Sequence, residues 1–161
     1  MNPLNQYSFI LIAGLALLAV GGFFWFTGFT GRKSLALAAL AVAFIAVWSG
    51  LRTGASAFQD AAQAEVVIRE ARMPVLVEFY SDYCAGCLAA RPTLDALEVD
   101  LKDELKIIRL DVASPSGQAL GAELRLYATP TFIFFDAEGR ELWRRIGTLD
   151  PAEVRAAVGK S

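Results

Sequence analysis

Val75-Leu76-Val77-Glu78-Phe79-Tyr80 runs through Ser81-Asp82-Tyr83 into Cys84-Ala85-Gly86-Cys87. The first six residues are short and almost wholly apolar, as a central strand covered on both faces requires. Cys84 and Cys87 are the only cysteines of the chain, and they fall where that strand gives way to a helix. The first cysteine of such a pair caps the helix and the second lies one turn inside it, close enough for a short-loop disulfide. Free N–H groups and the helix dipole then favour a thiolate on Cys84. This is the arrangement that thiol–disulfide exchange needs. A buried structural thiol pair is one alternative and half of a zinc site is another. Zinc takes four Cys/His ligands, and with two cysteines and no histidine such a site would have to be shared between two subunits. The expectation is no metal and no cofactor.

Working outward, the flanking segments alternate. Residues from about Ala55 to Arg72 have helical spacing and stop at Met73-Pro74, where proline disfavours continuation. Cys87 to about Leu105 is helical, with Leu94, Leu97, Leu101 and Leu105 on one side and a bend expected at Pro92. Lys106–Asp111 reads as a strand, and Ser116–Leu126 as a helix opened by Ser114-Pro115. Thr131–Phe135 is again a strand. Asp136-Ala137-Glu138-Gly139 makes a turn and Arg140–Ile146 returns as the hairpin partner. Asp150-Pro151, an N-cap followed by proline, opens a last helix. The order α-β-α-β-α-β-β-α predicts an α/β domain, a mixed sheet with helices on both faces.

The first third differs in kind. The chain of 161 residues is 55% hydrophobic, with a mean hydropathy of +0.44, and the excess lies before residue 52. No charge occurs from Phe9 to Phe29 or from Ser34 to Leu51. Each stretch is about as long as a bilayer-spanning helix, roughly 17–25 residues. A buried core helix would also fit either one. A cleaved signal peptide fits the first less well, because no Lys or Arg precedes Arg32 and the run is longer than an h-region. Residues 1–52 are therefore predicted to be a two-helix transmembrane hairpin (about 9–29 and 34–51) and residues 53–161 a single domain. Alanine and glycine pairs at four-residue spacing, Ala39/Ala43 and Ala46/Gly50, offer a close-approach surface. The basic pair Arg32-Lys33 between the spans, against an uncharged N-terminal tail, places that loop in the cytoplasm and the domain outside it. Arg52, Arg69 and Arg72 pull the other way. Setting Arg32, Lys33 and Arg52 aside from the net charge of −2 leaves −5 from Thr53 onward. A mildly acidic domain is a poor nucleic-acid binder.

These motifs together resemble the thioredoxin family over roughly residues 65 to 158. Val77 to Cys87 resembles its strand and active-site loop, and Pro92 the kink proline of its active-site helix. Tyr127-Ala128-Thr129-Pro130-Thr131 resembles the cis-proline loop, and Gly147 the glycine after the last strand. Tyr83 replaces the family's tryptophan, Ala85-Gly86 replaces Gly-Pro, and Leu88 stands where a lysine often comes next. The joining of a membrane anchor to such a domain is similar to the membrane-anchored reductases of cytochrome c maturation. It is similar also to the C-terminal domain of the transmembrane disulfide reductase.

The resemblance implies a thioredoxin-like fold and a redox-active Cys84–Cys87 pair in a protein-disulfide reductase. Cys84 attacks a partner disulfide and Cys87 resolves the mixed disulfide. Glu78 resembles the family's buried acid and would take the proton of Cys87; a structural pairing with Arg109 on the neighbouring strand is its alternative. Thr129 and Pro130 would offer backbone groups to a client segment, with an ordinary trans turn as the alternative. Tyr83 and Tyr80 would border the groove, or merely pack. The expected partners are a lipid bilayer, client proteins with disulfides and a membrane-embedded thiol donor, with no nucleic acid. The expected location is the cytoplasmic (inner) membrane, multi-pass, with the domain extracytoplasmic or periplasmic. A disulfide oxidase, or a redox-inactive client-binding module, would occupy the same scaffold.

Overall fold

The computed structural model describes residues 3–160 other than 55, 57 and 59. A single turn, α1 (Pro3–Gln6), precedes two long helices, α2 (Ser8–Phe26) and α3 (Gly31–Leu51). The domain then runs as α4 (Ala61–Glu70), β1 (Val75–Tyr80), α5 (Ala85–Asp100), β2 (Lys106–Asp111), α6 (Pro115–Glu123), β3 (Thr131–Phe135), β4 (Glu141–Ile146) and α7 (Pro151–Val158). The order is the one the alternating pattern predicts. The strands form one sheet, β2-β1-β3-β4; β1 is parallel to β2 and antiparallel to β3, which is antiparallel to β4.

All six residues of β1 are buried, because helices cover both faces of the sheet. Val75, Val77 and Phe79 point to one side, where they pack with Ala64 and Ile68 of α4 and Leu120 of α6. Leu76 points to the other, with Leu94 and Leu97 of α5, Phe132 and Phe134 of β3, and Val154 of α7. Two-residue alternation assigns Glu78 to this second face.

Local chemistry sets the helix ends, and several lie away from their expected positions. The N-caps are side chains: Asp60 accepts from Ala62 N–H at 3.1 Å, Ser114 from Gly117 N–H at 3.1 Å and Asp150 from Ala152 N–H at 2.8 Å. The first helix of the domain starts at Ala61, and the expected start at Ala55 lies outside the described residues, as does Ser161. The active-site helix ends at Asp100, short of Leu105. The leucine repeat runs on because Leu105 stays in the same core through a turn in which its N–H reaches Leu101 O at 2.8 Å. Helix α6 stops at Glu123, short of Leu126. Arg125 takes a left-handed φ of 55°, with Arg125 N–H bonded to Ala122 O and Leu126 N–H to Gly121 O. This is a Schellman stop without glycine.

Helices α2 and α3, of 19 and 21 residues, are long and apolar enough to cross a membrane and bury none of their side chains. Their bounds differ from the uncharged stretches. The turn is Thr27–Thr30, and Arg32 and Lys33 lie in the first turn of α3. The Lys33 ammonium donates to Thr27 O at 3.0 Å and Gly28 O at 2.9 Å, a cation on the carbonyl end of α2. The face of α3 toward α2 carries Leu37, Ala41 and Phe44, whose ring meets Phe9 edge-on. The expected small-residue rows are not the contact: Ala39, Ala43, Ala46 and Gly50 are exposed.

Leu94 has no exposed surface and joins α5 to the sheet. Leu94→Ala is expected to lower the unfolding free energy by about 2–5 kcal/mol in chemical denaturation. Val99→Ala, on the same helix but 74% exposed, should stay within about 0.5 kcal/mol of wild type.

Candidate active site

The chain leaves β1 at Tyr80 and turns through Ser81–Tyr83, where Cys84 N–H donates to Ser81 O at 3.1 Å. Cys84 is the N-cap of α5, with extended backbone (φ −93°, ψ 120°). Its sulfur does what an Asp or Ser oxygen does at the other helices, accepting from Cys87 N–H at 3.4 Å. The cap expected at Cys84 is observed, and the helix it opens runs from Ala85, two residues before the Cys87 from which the helical run was counted. The thiol of Cys84 also donates to Thr129 O at 3.4 Å. The Thr129–Pro130 peptide bond is cis. Helix and cis-proline loop touch at Gly86, where a Cβ would stand 3.1 Å from Pro130 Cδ.

The two sulfurs are driven apart in acidity. Cys84 is held down to about 6, first by the hydrogen bond from the Cys87 thiol, and further by Thr129 and by the N–H groups of Cys87 and Gly86, against the opposing effect of burial. Cys87 is pushed far above the ordinary thiol range by burial, and then by its bond to Cys84 and the charge there. Cys84 is thus the thiolate and Cys87 the retained thiol, which is the division that exchange chemistry uses.

Glu78 is 2% exposed and pushed up to about 8. Burial is the largest cause; Asp95 and the Cys84 thiolate add to it, while Arg109 and Arg91 oppose it. In register Glu78 faces Arg109 of β2, but that guanidinium is engaged mainly elsewhere, with Asp95 at 2.7 Å and Glu98 at 2.9 Å. Its Nε stands 3.9 Å from Glu78 Oε2 and makes no hydrogen bond. Glu78 is therefore only loosely paired, and it lies on the same side of β1 as α5, whose first turn carries Cys87.

Cys84, which in the implied mechanism must meet a partner's sulfur, is only 1% exposed. Tyr83, expected to border the groove or merely to pack, is 40% exposed and stacks with the rings of Tyr7 at 5.9 Å and Trp48 at 6.1 Å, which tie the loop to the helical hairpin. Tyr80 packs, its hydroxyl donating to Gly54 O at 2.6 Å. Sequence reasoning missed the residues that make these ties. The Asp82 carboxylate accepts from Thr53 N–H at 2.6 Å and Gly54 N–H at 3.1 Å, and Trp48 Nε1–H donates to Asp82 O at 2.9 Å. Asn5 Oδ1 accepts from Thr129 N–H at 2.6 Å. No periodicity marks such contacts between distant segments.

A capped, acidified cysteine with a buried partner one turn on, facing a cis-proline loop, defines a thiol–disulfide oxidoreductase domain. The thioredoxin family model matches residues 55–159, and the chain belongs to that family. It is 32% identical over 93 residues to a chloroplastic thioredoxin X of Arabidopsis thaliana, covering 56% of this chain and half of that one. It is 31% identical over 132 residues to the thiol:disulfide interchange protein TxlA of Synechococcus elongatus, covering 78% of this chain and 68% of that one. Among solved structures it is similar to Fasciola hepatica thioredoxin, with a TM-score of 0.54 at 25% identity over 63% of this chain and 94% of that one.

Two pH measurements check these assignments. Thiolate absorbance of the reduced chain should titrate with a midpoint near 6 and be lost in Cys84→Ser. Glu78 stays protonated in the fold up to about 8, while its ordinary value is 4.5. The folded state then holds the extra proton across that window, and stability falls as pH rises through it. In Cys84→Ser, where the acidified thiol no longer adds an opposing gain above its midpoint near 6, denaturation between pH 5 and pH 8 should show this loss, on the order of a few kcal/mol. Glu78→Gln should flatten it.

Proposed function

We propose that this protein is a membrane-tethered thiol–disulfide oxidoreductase that reduces disulfides of client proteins outside the cytoplasm. The observation that carries the chemistry is the division of acidity between Cys84 and Cys87. The Cys84 thiolate attacks one sulfur of a client disulfide; that S–S bond breaks, a mixed disulfide forms and the other client sulfur leaves as a thiolate. The negative charge on Cys84 is then gone, and with it a cause that raises both Cys87 and Glu78. With that charge gone Glu78 becomes the stronger acid and gives its own proton to water or to the departing client thiolate, and the carboxylate so formed accepts the Cys87 proton, directly or through one water. Cys87 attacks Cys84 Sγ, releasing the second client thiolate and leaving the Cys84–Cys87 disulfide. Two electrons pass to the client, so a thiol donor, membrane-embedded in this reading, must reduce the pair again. Thr129 and Pro130 present the client segment to Cys84.

Direction is supported by the value near 6 for Cys84. It lies close to the figure of about 7 for the thioredoxin nucleophile and far from about 3.5 for a strong periplasmic oxidase. A less stabilised thiolate goes with a more reducing couple. Tethering is supported by the two apolar helices that bury nothing; in this reading residues 1–52 are the anchor and the bilayer a partner. Arg32 and Lys33 at the hairpin turn support a cytoplasmic turn and an extracytoplasmic domain. This location is that of a multi-pass protein of the cytoplasmic membrane, and it is the setting of the cytochrome c maturation reductases that the sequence resembles.

Cys87→Ser is expected to accumulate mixed disulfides with clients, visible as reductant-sensitive bands on gels, and Cys84→Ser to accumulate none. Trapping that depended on Cys87 would reverse the roles. In a cysteine-free background, a cysteine introduced at residue 160 should label from outside the cell and one at residue 31 should not. The opposite pattern would place the domain in the cytoplasm.

A further inference from the structure

A nucleophile must meet its partner's sulfur in line, yet Cys84 is 1% exposed. Residues 5–9 bond to the segments on either side of it. Asn5 Oδ1 accepts from Thr129 N–H at 2.6 Å and from Thr129 Oγ1 at 3.1 Å. Gln6 O accepts from Ser81 Oγ at 3.1 Å. Ser8 Oγ accepts from Ala85 N–H at 3.0 Å, and Phe9 N–H donates to Tyr83 O at 2.9 Å. The Tyr7 ring stacks on that of Tyr83. Five consecutive residues thus bind both banks of the dithiol, the loop before Cys84 and the residue before Pro130.

These contacts use groups that a client would need. An extended segment docks on an exposed backbone edge by pairing with its free N–H and C=O groups. At this edge the Thr129 N–H is already taken by Asn5, and the Thr129 carbonyl faces Cys84 Sγ. We propose that residues 5–9 form an autoinhibitory strap that mimics a bound client segment and must lift before any partner disulfide reaches Cys84.

The strap is built to open. Asn5 and Gln6 belong to a four-residue helix with no buried residue, Tyr7 is 42% exposed, Ser8 and Phe9 open α2, and what holds the strap to the dithiol and cis-proline loops is a handful of hydrogen bonds and one ring stack. Segments with so few buried contacts lie at the low-stability end of a fold and open locally without global unfolding. The observed reactivity of Cys84 is then its intrinsic reactivity multiplied by the open fraction. Each ordinary hydrogen bond removed should raise that fraction about fivefold.

The test reads access, not turnover, and requires only that Cys84 be the reacting thiol. The reduced full-length chain in detergent micelles is alkylated with iodoacetamide at pH 8, where the Cys84 thiolate is fully formed. Wild type should react at least about tenfold more slowly than a small free thiolate of matched acidity, as expected when two or more such bonds must break. Asn5→Ala with Ser8→Ala should recover most of that factor while leaving the pH midpoint of the reaction in place. A wild-type rate equal to that of the free thiolate overturns the strap, and this arm needs no variant to fold. Equal rates in wild type and in a cooperatively folded double variant also overturn it. A variant that alkylates faster but reduces no client disulfide leaves the strap standing and removes the proposed function. Client reduction by wild type with no retardation of alkylation does the reverse.

Discussion

A sulfur in the N-cap position of α5 is the constraint on which the rest of the site depends. Every helix start leaves N–H groups without partners, and at α4, α6 and α7 oxygen atoms take them. At α5 the acceptor is Cys84 Sγ. An acceptor that gains by carrying negative charge is an acidified thiol, so the geometry that starts the helix also prepares the nucleophile. Cys87 falls one turn on and is buried against Tyr80 of β1 and Cys84. Its raised pKa comes from the same packing. One helix start therefore yields a reactive thiol and a reserve thiol from two identical residues.

Placing a carboxyl in the middle of β1 has a similar logic. Five of its six residues build the cores, and Glu78 is enclosed among them at a cost that keeps it protonated to about 8. The nearby guanidinium of Arg109 relieves little of this, being held by Asp95 and Glu98. Its titration responds to the charge on Cys84, and on that response the proposed transfer of the Cys87 proton rests.

Much of the domain could be read from the sequence because its signals are local. The run Val75–Tyr80 and the Ser114-Pro115 and Asp150-Pro151 caps mark elements within a residue or two of those observed. Helix ends governed by the neighbouring segment were misplaced, as at Leu105, where a turn keeps a leucine in the core, and at Arg125, which adopts a conformation usually reserved for glycine. The site was readable as a set of residues but not as an environment. Cys84 and Cys87 announce themselves by spacing, whereas the bond from Thr129 N–H to Asn5, more than a hundred residues away, has no local signal. The stacking of Tyr83 with Tyr7 and Trp48 has no sequence signature either. It joins the apolar hairpin and the dithiol loop, so hairpin and active site share a wall that neither segment reveals alone.

The central claim is that this dithiol is a reductant set by a moderately acidified Cys84. The most direct measurement is the reduction potential of the Cys84–Cys87 couple in the full-length chain, equilibrated against glutathione or dithiothreitol buffers. The account predicts a value near that of thioredoxin, roughly −270 mV. A value near −120 mV, the range of a strong disulfide oxidase, would contradict it.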